Sequence, residues 1–180
     1  NTLHPENEGT LITKEPNANT KEAVKAVAMI KDVAMLNVYG AAMVGAPGSY
    51  AKVFDVLGKN NINVMMVSTA ASEANISMII KRGLLGRAIS NIEIALLERG
   101  GVVSEVTAED DVAVIAVMGA KMKGALGVAS KIFSTVANKG INIRMIAQGS
   151  SELNISFVVK EKDGAAVVRA IHEEFNLDKA

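Results

Sequence analysis

The chain has 180 residues, room for one large or two small domains, and its 49% hydrophobic and 21% charged residues are those of a folded globular protein. Lys+Arg and Asp+Glu cancel at 19 each, which leaves no basic field for nucleic acid or an anionic membrane surface, and the lack of cysteine excludes disulfides and thiolate chemistry. No apolar run approaches the roughly 20 residues of a membrane span, and NTLHPENEG has neither part of a signal peptide, so a cytoplasmic protein is expected.

Residues 1–8 are polar, contain Pro5 and read as a linker. GTLIT predicts a short strand over residues 9–14, stopped by Pro16 and Asn17. Asn19 or Thr20 offers an N-cap, and Val24, Val27 and Ile30 give one apolar face to a short helix, KEAVKAVAMI. Ala34–Tyr39 is a mainly apolar run of strand length, closed by Gly40. After a tight loop with Gly45, Pro47 and Gly48, the residues Tyr50, Val53, Phe54 and Leu57 fall at the spacing of an amphipathic helix. Asn60-Asn61 suits its left-handed end. Strands are predicted at Ile62–Thr69 and Ala74–Lys81, then a helix led by Ile89, Ile92 and Leu96, then a strand at Val102–Thr107.

From Val112 the pattern begins again. With an offset of 112 − 33 = 79 the two copies align without a gap through Lys81 and Lys160. Gly40/Gly119, Gly45/Gly124, Gly48/Gly127, Phe54/Phe133, Asn63/Asn142 and Glu73/Glu152 are among the identical pairs. Such a repeat decides the fold, and two copies read as a duplicated small domain. The first copy has the order βαββαβ, but the second stops after the helix led by Val168, Ile171 and Phe175 and lacks its last strand. The strand at residues 9–14 is the candidate to complete it. The expected architecture is therefore α+β, with two ferredoxin-like βαββαβ domains, the first inserted into the second. Residues 1–31 would hold the linker, that strand and a connecting helix, 32–109 the first domain and 110–180 the second.

The glycine-rich turn followed by INIRMI, QGSSE and NISFVV resembles the regulatory region of aspartate kinase, a tandem of ACT domains, over nearly the whole chain. NTLHPENEGTLI is similar to the joint at which that family's catalytic domain meets its regulatory part. The resemblance implies side-by-side pairing of ACT sheets in a homodimer, an amino-acid effector, and a kinase domain N-terminal to this segment. It implies no cofactor here, since ATP and magnesium belong to the missing catalytic domain.

Two loops carry the candidate chemistry. Gly45-Ala-Pro-Gly48 and Gly124-Ala-Leu-Gly127 each precede a helix, where free N–H groups and the helix dipole suit a carboxylate. The competing reading is a turn that needs glycine only for backbone freedom. Neither loop is a P-loop, because Lys-Ser/Thr does not follow. The resemblance implies effector-binding residues Met43, Gly45, Ala46, Pro47, Gly48, Ser49 and Tyr50 with Asn63, Val64 and Thr69. In the second copy it implies Met122, Gly124, Ala125, Leu126 and Gly127 with Asn142, Ile143 and Gln148. The glutamine amide can both donate and accept; the first copy has Thr69 in its place. Met65 stands where lysine-inhibited relatives carry an acidic residue, so threonine is the expected effector. No catalytic residue and no metal site are expected: His4 sits in the linker, and His172 lies among Glu173 and Glu174 on a helix surface.

Two other functions share the predicted fold. One is a free-standing amino-acid sensor with no enzyme attached. The other is RNA binding by the same strand order, which needs exposed aromatics on the central strands, and here those strands offer only Tyr39 and Phe157.

Overall fold

The computed structural model describes residues 5–7, 23–97 and 101–177. Among the described residues six strands form one antiparallel sheet, in the order β2-β3-β1-β4-β6-β5. They are β1 (Ala26–Tyr39), β2 (Val64–Thr69), β3 (Asn75–Lys81), β4 (Glu105–Met118), β5 (Met145–Gln148) and β6 (Asn154–Lys160). The helices are α1 (Ser49–Lys59), α2 (Leu85–Ile92, continued by a π-type turn at Glu93–Leu97), α3 (Val128–Asn138) and α4 (Glu161–Glu174).

The two long strands organise the sheet. Val33–Tyr39 of β1 pairs with β3, while Ala26–Ile30 pairs with Met118–Val114 of β4. Reciprocally, Val112–Met118 of β4 pairs with β6, and Glu105–Glu109 pairs with Tyr39–Met35 of β1. Each 14-residue strand thus serves both halves. The register shifts on either side of Val33, and Asp32 there has a left-handed φ of 56°, a conformation that aspartate tolerates better than most side chains.

This arrangement corrects the first copy's entry. Ala26–Ile30 is strand, not helix. Val27 and Met29, at a spacing of two, both pack into the second core, and pairing with β4 overrides the helix propensity of the intervening alanines. The expected strand at residues 9–14 lies outside the described residues; beside β4 in the second half stands Ala26–Ile30. The sheet still shows one ACT-like half threaded into the other, because the strand that completes the second half precedes the first. Val102 and Val103 pack into the first core ahead of β4, whose pairing begins at Glu105.

Helices cover one face of each half. Leu36, Val38, Met78 and Ile80 meet Val53 and Leu57 of α1 and Ala88 and Ile92 of α2. Ile115, Val117, Phe157 and Val159 meet Ile132 and Val136 of α3 and Val167 and Ile171 of α4. On the other face Val33, Met35 and Ile79 of the first half share a third cluster with Val112, Val114, Met145 and Val158 of the second. The end strands β2 and β5 approach each other, and the seam holds a cavity of about 360 Å³ lined in part by Met65, Met66 and Ala147. That burial on both faces explains why Val33–Val38 is apolar except for Asn37.

Candidate effector-binding loops

Each repeat turns from its long strand into a helix through a short 3-10 turn, Ala41–Met43 or Ala120–Met122, and then the glycine loop. Gly45 and Gly48 have φ of 64° and 79°, and Gly124 and Gly127 have 69° and 80°. A Cβ would strain each of these positions, so the turn itself needs the glycines. Gly48 and Gly127 are the N-cap residues of α1 and α3. Neither contributes a capping side chain; Ser49 N–H of α1 donates to the Ala46 carbonyl at 3.3 Å, and the next amides of each helix are left to an outside acceptor.

Beside each loop is a cavity. The first, of about 260 Å³, is lined by Met43, Ala46, Gly48, Ser49, Tyr50, Ala51 and Glu73. The second, of about 310 Å³, is lined by Met122, Ala125, Leu126, Gly127, Val128, Ala129, Ser130, Gln148, Glu152 and Ile155. Ser49 is buried, and its hydroxyl donates to the Ala46 carbonyl at 2.7 Å, closing the first loop on itself. Leu126 is 99% exposed at the tip of the second loop, where the first has Pro47.

The sequence-predicted residues divide accordingly. Loop residues and helix starts gather around the two cavities, and Gln148 reaches the second from the end of β5. Gly45, Pro47 and Gly124 shape the loops without lining either cavity. Asn63, Val64, Thr69, Asn142 and Ile143 do not line them. Val64 packs into the first core and Ile143 against the second. Thr69, the equivalent of Gln148 (148 − 69 = 79), is paired with Ile76 at the end of β2.

Two further differences separate the cavities. Tyr50 stands where the second repeat has Ala129, and its phenol oxygen is enclosed without a hydrogen-bond partner among the described residues. An unmet buried hydroxyl costs about 1–3 kcal/mol. The second cavity has the smaller alanine and the strand-end amide.

Two residues outside the predicted set also reach the loops, Glu73 and Glu152: Gly45 N–H donates to Glu73 Oε2 at 2.9 Å, and Gly124 N–H to Glu152 Oε2 at 2.8 Å. Their identity at the same place in both copies was the available signal.

The charged residues cluster elsewhere, at the crease between the halves. Lys160 bonds both oxygens of Asp111 at 2.7 Å, and Arg144 is paired with Glu109. The Lys160 hydrogen bond holds the Asp111 carboxyl below its ordinary range, and Asp111 in turn raises Lys160. These are exposed structural pairs rather than a proton-transfer site.

The ACT domain family matches the chain twice, over residues 36–96 and 115–175. The regulatory subunit of aspartate kinase from Thermus thermophilus, in its ligand-free form, is 30% identical with a TM-score of 0.74, over 86% of this chain and 99% of that one. Aspartate kinase from Synechocystis is 26% identical with a TM-score of 0.78, covering 94% of this chain and 29% of that one. The chloroplastic bifunctional aspartokinase/homoserine dehydrogenase 1 of Zea mays is 33% identical over 95% of this chain. The chain spans 19% of that relative's length. With two ACT matches, the shared architecture and end-to-end correspondence to a regulatory subunit, the chain belongs to the ACT-domain family, among the regulatory regions of aspartate kinases.

Proposed function

We propose that the chain is an amino-acid-sensing module that imposes allosteric feedback on aspartate phosphorylation, with threonine as effector. The observation that carries this reading is the second cavity, where the start of α3 and the strand-end amide of Gln148 share one wall. The amides at the helix start suit the effector's carboxylate, and Gln148 can both donate to and accept from a small hydroxyl side chain. Lysine is disfavoured because Met65 supplies no carboxylate for its ammonium and the carboxylate that does line the cavity, Glu152, is engaged with Gly124 N–H. The catalytic partner is a kinase domain N-terminal to this segment, where ATP and magnesium would act, and its product feeds synthesis of lysine, threonine and methionine. The cytoplasm is the expected setting; the maize relative is named as chloroplastic.

The working form in this reading is a homodimer in which a second copy pairs at the end strands β2 and β5, which in the single chain approach each other across the seam. The neighbouring second strand then completes the pocket beside each glycine loop. Regulation requires the effector to favour one arrangement of those walls, typically by about 1–3 kcal/mol.

Calorimetry and thermal melting against threonine, lysine and methionine test the reading. Threonine should raise the melting temperature, and Gln148→Ala should weaken that rise more than Thr69→Ala. A shift with lysine and none with threonine would overturn it. The free-standing sensor is separated from the kinase-linked module by adding the kinase domain and asking whether threonine changes its rate.

A further inference from the structure

Glu73 and Glu152 occupy the same place in the two repeats, since 152 − 73 = 79. Both have left-handed backbones, with φ of 55° and 58°. Each closes a turn, Glu73 N–H donating to the Ala70 carbonyl at 3.0 Å and Glu152 N–H to the Gly149 carbonyl at 3.1 Å. Glycine would make that turn with less strain, because a Cβ disfavours the left-handed region. Both repeats nonetheless carry a carboxylate there. In each, one carboxylate oxygen accepts from the first glycine amide of the adjoining loop. Each glutamate also lines that loop's cavity.

We propose that Glu73 and Glu152 are latches, each tying the turn after the second strand of its repeat to the glycine loop and so fixing the two walls of an amino-acid cavity before the ligand arrives. They are positioning residues. Without the tether, a loop with two left-handed glycines is free to sample many shapes, and a ligand must bear the entropy of ordering it. The left-handed strain is retained because only a side chain at that turn reaches the loop amide. The positioning role rests on the amino-acid-binding reading above, whereas the tether itself is independent of any ligand.

The discriminating replacement is glycine. For a residue that serves only the turn it is the best substitute, and for a latch it is the worst. Glu152→Gly and Glu152→Gln, made in the 180-residue chain, are compared by amide hydrogen exchange at Gly124, by melting temperature and by threonine calorimetry. Glu152→Gly should melt at or above the parent, yet Gly124 should exchange faster by roughly three- to tenfold, the range for losing one exposed charge-assisted bond. Threonine affinity should fall by a similar factor, with Glu152→Gln between the two. Unchanged exchange at Gly124 in Glu152→Gly overturns the latch. Faster exchange with unchanged affinity overturns its positioning role. Failure of the parent chain to bind threonine, lysine or methionine overturns the proposed function, and the latch then stands or falls on the Gly124 amide alone.

Discussion

Arg82 and Glu161 are the same position in the two repeats, since 161 − 82 = 79, and their side chains form an ion pair with each other. They sit where β3 and β6 hand over to the helices, close to the Val33–Val112 pairing about which the halves are related by approximate two-fold symmetry. A symmetric pair of identical repeats would set like charges together there. The divergence to arginine and glutamate lets the first half recognise the second and penalises pairing of either half with its own kind. The Glu161 carboxylate keeps the Arg82 guanidinium above its ordinary value.

Charge reversal checks this relationship. Arg82→Glu or Glu161→Arg alone should lower the melting temperature slightly, since both side chains are about one-third exposed and the pair is partly screened. The double exchange should recover most of the loss. A double variant no better than the sum of the single ones would show that the pair does not couple.

Backbone crowding gives a larger effect. A Cβ on Gly40 would lie 2.0 Å from the Val102 carbonyl oxygen, and one on Gly119 at 2.0 Å from that of Ala23. Gly40→Ala and Gly119→Ala should each cost about 3 kcal/mol or more, because the contact is with backbone that cannot rotate away. Gly58, inside α1 with open space around it, is the control. Gly58→Ala should stabilise by about 0.5–1 kcal/mol. Urea midpoints for the three variants give the comparison.

The entry strand makes its own prediction. Val24 is 0% exposed in the second core, just ahead of Ala26–Ile30. Val24→Asp should destabilise by about 3 kcal/mol or more, as an unpaired buried charge does. In hydrogen exchange, the amides of residues 26–30 that face β4 should be protected, while those on the other side, where β3 does not reach, exchange faster than residues 114–118, which are paired on both sides. Rapid exchange at every amide of 26–30 would refute the pairing.

That strand marks where the sequence was legible and where it was not. The helix faces of Val53/Leu57 and Ile132/Val136, the left-handed ends at Asn61 and Gly140, and the paired glycine loops all follow from local pattern. Ala23–Ile30 did not, because alanines and a three-residue spacing of valines imitate a helix. The repeat itself held the answer. Carried upstream at the same offset, Val24 falls on Val103 and Val27 on Val106. Lys25 N–H donates to the Met118 carbonyl as Ser104 N–H does to that of Tyr39, both at 2.7 Å. The loops were legible as glycine turns. Tyr50 and the two glutamates gain their meaning from a tertiary approach that no single segment encodes.

Acid should act through the crease. Hydrogen-bonded to Lys160, the Asp111 carboxyl titrates below its ordinary value. A carboxyl lowered on folding stabilises the chain above its unfolded pKa, about 3.9, and that contribution is lost as the pH falls through the folded value. Asp111→Asn should therefore melt slightly below the parent at neutral pH, with the two curves converging in acid. A gap that persists or widens at low pH would contradict this assignment.

The crossing of the two long strands also sets an order of events during synthesis. Ala26 pairs with Met118, 92 positions further along (118 − 26 = 92), so the entry strand has no partner until most of the chain exists. At about 5–20 residues per second a ribosome needs roughly 5–20 s to cover that distance. Near the end of that interval the first half can close on Glu105–Glu109, while Val27 and Met29 still wait with their apolar side chains in water. The first half should therefore fold ahead of the second, and the waiting strand is where a chaperone or an aggregating neighbour would find the nascent chain.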